Sequence, residues 1–173
     1  AHRPFTVMWL AIDAHSVLFA SGNSQVHVIG HSLGGFVAVQ LALYHRESVQ
    51  SLSLLCSFSG GRYVAPLTAR MMWLGIQTQI GTRRMRRHGF LTLVSPPGTT
   101  AQQDAMADRG GKLCGHDLAD QPPVTNFQRK AMRACDPTPR LTELVDLHRD
   151  VVRAKTDPIA PPSAGRVLYG AIT

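Results

Sequence analysis

The sequence predicts an α/β fold, a parallel sheet with helices packed on it, and three observations carry that prediction. Gln25-Val26-His27-Val28-Ile29 is a β-branched run that ends at Gly30, the pattern of an inner parallel strand. From Gly35 the pattern becomes a long apolar helical run ending near His45. After the polar link Arg46-Glu47-Ser48, the stretch from Val49 to Cys56 reads as a second strand, closed by Ser57 to Gly61. Strand, helix and strand in so short a span make one crossover unit of a parallel sheet.

The first strand and the helix are joined by Gly30-His31-Ser32-Leu33-Gly34-Gly35, with Ser32 at the tip of a very sharp turn. A serine held there must take a strained backbone with its hydroxyl exposed. Bulky side chains two residues to either side would collide as strand and helix approach, and glycines at 30 and 34 are expected to remove that collision. The G-x-S-x-G spacing gains its force from the strand before it and the helix after it.

These residues resemble the nucleophile elbow of the α/β-hydrolase superfamily, and the flanking chain is similar to its lipase and esterase-like members. The resemblance implies a Ser-Asp-His triad with Ser32 as nucleophile. It also implies an oxyanion hole using the backbone N–H of Leu33, at the positive end of the helix dipole. No metal and no organic cofactor is needed, and the implied partner is a small-molecule ester or similar acyl substrate.

The bulk numbers agree with one globular domain. The chain has 173 residues, 44% of them hydrophobic, with no apolar run of eighteen, so stable membrane insertion is not expected. Three cysteines at wide spacings, Cys56, Cys114 and Cys135, support neither a disulfide framework nor a zinc site, which points to a reducing, cytoplasmic compartment. No signal peptide is recognisable, and the chain begins with Ala1, so its start is expected to lie upstream. Much of the net charge of +7 sits in Arg83-Arg84-Met85-Arg86-Arg87-His88, read as a solvated helix face. Attraction of an anionic substrate or a lipid surface stays open, while nucleic acid is not expected without a binding module or interleaved aromatics.

Upstream of the elbow, residues 5–20 read as an apolar helix packed beside the strand, with Thr6 as N-cap and Ser21-Gly22-Asn23 as its stop. A helix in this place also matches the family. Asp13 and His15 lie on it as surface groups. Beyond the second strand, 62–138 looks helical. Val64 to Ile80 and Thr82 to Leu93 are helices, Ser95-Pro96-Pro97-Gly98 is a stop, and 98–120 is a mobile loop or weak helix. Gln121-Pro122-Pro123-Val124 then opens a helix reaching Ala134. The resemblance makes this segment a helical cap insertion, flanked by core parts at 1–61 and 139–173. Met71, Met72, Trp73 and Phe90 are either pocket wall or ordinary helix packing.

Pro139 to His148 reads as a helix, and Ser163 to Thr173 as another. Between them, Asp150 to Pro162 is similar to the family's acid-bearing strand and loop, which makes Asp157 the carried-over triad acid; Asp157-Pro158 as a plain turn opener is the alternative. An inner strand should be nearly all apolar, so Val151-Val152 among charged neighbours marks a strand that is short, displaced or at an edge. Family order is serine, acid, histidine. No histidine follows Asp157, His148 sits on an expected helix, His31 should point away from the hydroxyl, and His27 reads as a core or interface residue. The family's early strands, with the second oxyanion donor, are missing too. The chain is therefore expected to be an inactive fragment whose catalytic histidine lies outside it, with an open sheet edge. An acyltransferase or peracid-forming relative and a non-catalytic binding module are the other readings, and oligomeric state is not legible.

Overall fold

The computed structural model describes residues 5–60, 68–96, 99, 102–120, 122 and 124–172. Outside them fall Gly61, the expected helix start at 64–67, Pro97 and Gly98 of the expected stop, Gln121, Pro123, His2 and Thr173. The described residues form two compact units. The first comprises those of Ala1–Ala65, Asn126–Lys155 and Ala160–Thr173, and the second those of Pro66–Thr125 and Thr156–Ile159.

The first unit holds helix α1 (Val7–Ala20), strand β1 (Val26–His31), helix α2 (Leu33–Tyr44) and strand β2 (Val49–Leu55). After the second unit come α6 (Val124–Ala134), which enters the first unit at Asn126, a 3-10 segment (Thr138–Leu144), β3 (His148–Val152) and α7 (Pro162–Ile172). The three strands are parallel in the order β1-β2-β3. Thr6 caps α1 by accepting from the Trp9 N–H at 3.2 Å, and Gly22 follows its end with φ 74°. The main partner of α1 is α2, not the strand expected beside it; buried Ala11 gives it a small-residue contact against that apolar helix.

One core lies on one face of the sheet. Leu52 and Leu54 of β2 pack there with Ala38, Val39, Leu41 and Ala42 of α2, Leu141 and Leu144 of the 3-10 segment, and Leu168 and Ile172 of α7. On the other face β1 presents His27 and Ile29, the latter 70% exposed. Among the described residues β1 is an outer strand of the sheet, with alternating burial. His27 is exposed rather than a core residue, and its Nδ1 hydrogen-bonds Ser51 Oγ across the strands at 2.8 Å. The helix expected over 139–148 is also corrected. Thr138–Leu144 is a 3-10 segment instead, and His148 is the exposed first residue of β3. Strand β3 lies at the other edge, which tolerates its charged residues: Arg149 and Val151 pair with the buried positions Leu52 and Leu54, while Asp150 faces outward opposite Ser53.

The second unit holds α3 (Ala69–Gln77), α4 (Arg83–Val94) and α5 (Gln103–Cys114). Thr68 and Thr82 cap α3 and α4 by accepting from Met71 and Met85 N–H. The stretch expected as a loop or weak helix contains α5, despite Gly110 and Gly111. A Cβ on Gly110 would stand 2.9 Å from Leu118, so glycine there admits the returning chain, and Gly115 at φ 72° ends the helix. Within this unit Arg87 donates to Asp117 from two nitrogens, Nε at 2.7 Å and Nη2 at 2.6 Å, and Arg83 reaches Asp117 and Asp120. Part of the basic cluster thus pins α4 to the segment after α5 rather than facing free solvent. The Arg87 hydrogen bonds, then the Ala119 N–H, hold the Asp117 carboxyl well below the usual carboxylate range.

A carboxylate with a depressed folded-state pKa stabilises above its unfolded pKa of about 3.9 and loses that contribution as pH falls toward the folded value. Asp117→Asn should therefore lower hydrogen-exchange protection of Arg83–Val94 at neutral pH, and the difference from wild type should shrink as the pH is taken below about 4.

Candidate active site

The turn after β1 gathers Gly30, His31, Ser32, Leu33, Gly34 and Gly35 within the first unit. Ser32 has φ 51° and ψ −117°, a backbone conformation that L side chains rarely take. It stands at the N-cap of α2, yet its side chain makes no cap hydrogen bond, so the hydroxyl is not spent on the helix. The residue is half-buried. Leu33 is the first residue of α2, where helix geometry leaves the N–H no carbonyl of its own helix. His31 is exposed at the end of β1.

The turn is tied on both sides. Ser32 N–H donates to Leu55 O of β2 at 3.0 Å, and Ser32 O accepts from Gly35 N–H at 2.9 Å. Two glycines permit the close approach, but they are not the pair expected. A Cβ on Gly30 would lie 2.5 Å from Gly34 O and 2.7 Å from Gly35 Cα, so position 30 matters as anticipated. A Cβ on Gly34 would meet nothing within 4 Å, whereas one on Gly35 would run into the Ser57 hydroxyl. The crowding comes from β2's end, which the spacing of the elbow does not encode.

Ser57 is therefore a residue that sequence reasoning missed. It is buried, and its Oγ donates to Ser32 O at 3.2 Å and to Leu55 O at 3.3 Å. The preceding Cys56 also has positive φ, 47°, and its N–H donates to Val152 O of β3 at 2.8 Å. Phe36 and Phe58 meet edge to face at 5.1 Å and anchor the start of α2 to the segment after β2. A small polar residue just past a strand end was the available signal.

Asp157 belongs to the second unit, in the loop between β3 and α7, and is half-buried. Its Oδ1 accepts from Ile159 N–H at 2.8 Å, the bond of a turn opener. The two histidine ring hydrogen bonds given among the described residues join His27 to Ser51 and His116 to the Asp117 carbonyl, so neither serves Ser32. Within the second unit Met72 and Trp73 are exposed, Trp73 by 59%, and Met71 and Phe90 are half-buried.

The model of the alpha/beta hydrolase fold family matches residues 4–92, which include the whole turn and both strands beside it. The chain belongs to the α/β-hydrolase fold family. A protein named "Putative carbamate hydrolase RutD" from Klebsiella pneumoniae subsp. pneumoniae is 26% identical over 177 aligned positions, covering 97% of this chain and 62% of that protein. Among solved structures, a hydrolase from Pseudomonas aeruginosa is similar with a TM-score of 0.70 at 21% identity, covering 99% of this chain and 62% of its own. An alpha/beta hydrolase enzyme from a Medee basin deep-sea metagenome library gives 0.73 at 16% identity, covering 100% and 62%. The chain thus spans about three fifths of the length of these relatives.

The glycine assignment makes a sharp contrast testable by chemical denaturation. Gly35→Ala should destabilise the first unit by about 1–3 kcal/mol, the usual cost of overpacking. Gly34→Ala, in open space inside α2, should be neutral or stabilising by up to about 1 kcal/mol.

Proposed function

We propose that this chain is the central part of a serine hydrolase that cleaves an ester or similar acyl bond, with Ser32 as its nucleophile. The observation that carries the reading is a serine at positive φ between a parallel strand and a helix, its hydroxyl not used as a cap. Ser32 Oγ bonds to the substrate carbonyl carbon as its proton passes to a histidine base supplied from outside residues 1–173. The carbonyl oxygen becomes an oxyanion held by Leu33 N–H, at the positive end of α2. Collapse breaks the bond to the leaving group, which takes the proton from the histidine. Water then repeats the sequence on the acyl-enzyme and frees Ser32.

Asp157 is the acid of this triad. It would accept from the histidine Nδ1–H, fixing the tautomer and stabilising the imidazolium. By its resemblance to the family, 62–138 is a helical cap insertion, and Met71, Met72, Trp73 and Phe90 are candidates for its pocket-lining residues. Carbamates, named for the Klebsiella relative, fall within the acyl class this chemistry attacks. The three free cysteines accord with a reducing, cytoplasmic setting. No metal or cofactor enters any step.

A fluorophosphonate probe should label Ser32 of the full-length protein, and Ser32→Ala should abolish labelling and lower kcat/KM by more than about 10³-fold. Asp157→Asn should lower kcat by about 10²–10⁴-fold with the fold intact by circular dichroism. A folded full-length protein that takes no label at Ser32 would overturn the reading.

A further inference from the structure

A second group of chemically capable side chains lies at the other end of the sheet from the elbow. Ser32 follows the carboxyl end of β1, whereas His45 and Glu47 sit in the connection that precedes the amino end of parallel β2. His15 reaches the same place from α1. Its imidazole stacks on that of His45 with centroids 3.6 Å apart and planes within 8°. His45 Nδ1 lies 3.9 Å from Glu47 Oε1. One donor atom from each of the three side chains lies within 4.8 Å of the others.

Two features suit this group to a cation. Two imidazoles and one carboxylate are the donor set of open, three-ligand zinc sites. His45 follows the last residue of α2, where unsatisfied carbonyls carry partial negative charge.

Bond lengths of about 2.0–2.2 Å put donors in a tetrahedral zinc site about 3.3 Å apart. The group must therefore contract slightly, and the rings must leave their parallel stack, because a metal lies in the plane of each imidazole it binds. Both adjustments are side-chain rotations. The imidazole χ2 torsion is broad, and the Glu47 side chain is 75% exposed and free to swing.

We propose that His15, His45 and Glu47 form a Zn²⁺ site, completed by water, that ties α1 to the link between α2 and β2. This site is independent of the acyl chemistry at Ser32 and stabilises the first unit by binding only its folded state.

The test is calorimetric titration of the metal-stripped full chain with ZnCl₂, paired with thermal melts. Wild type should bind one Zn²⁺ per chain and melt higher with the metal. His15→Gln and Glu47→Gln should each weaken binding at least about tenfold and lose the upward shift in Tm, since even outer-shell changes cost that much. Cys114→Ser and His116→Gln, which alter an exposed thiol and a histidine of the second unit, should leave both readouts unchanged. Circular dichroism without metal checks that the variants fold. Zinc binding that persists undiminished in both ligand variants, or no saturable binding by wild type, would overturn the proposal.

Discussion

The end of β1 lies too close to the first turn of α2 for a side chain at Gly30, Ser57 lies too close for one at Gly35, and the turn that holds Ser32 follows from those two approaches. A β-carbon at either position would meet backbone or the Ser57 hydroxyl. With both absent, the chain reverses within a few residues and Ser32 is forced to φ 51°. Such a conformation costs of order 1–3 kcal/mol and persists only where its surroundings over-determine it. Here the surroundings are the Ser32 N–H to Leu55 bond, the Ser57 hydroxyl on Ser32 O, and the apolar anchor of Phe36 against Phe58.

Strain of this kind aligns three properties that acyl transfer uses together. The hydroxyl makes no cap bond to its own helix, the next N–H is an orphan of the helix start, and the helix dipole adds positive potential at the same point. None of the three needs the rest of a longer chain, which is why the turn can be described fully from the first unit. The proposed acid has no such local origin, because the position of Asp157 depends on where its loop is carried.

The elbow was legible because its signals are local. Glycine spacing, a β-branched run and an apolar helix sit side by side in the sequence, and Thr6 caps α1 through a bond only three residues long. What was not legible is long-range. The partner that makes glycine necessary at 35 is Ser57, just past the end of β2 and distant in sequence. The exposure of His27 and Ile29 reflects which face of the sheet is covered, a property of packing rather than of β1 itself. The sequence left 98–120 open between a loop and a weak helix because Gly110 and Gly111 lower helix propensity, and the contact with Leu118 that suits glycine at 110 is not local. The polar character of β3 left a short, displaced or edge strand open, and among the described residues it is a five-residue strand at the end of the order β1-β2-β3.

The most direct measurement is a crystal structure of the full-length protein after reaction with a fluorophosphonate. The account predicts phosphorus bonded to Ser32 Oγ, with a phosphoryl oxygen within hydrogen-bond distance of Leu33 N–H and Ser32 still at positive φ. An adduct on another residue, or one on Ser32 whose oxygen points away from the start of α2, would contradict it.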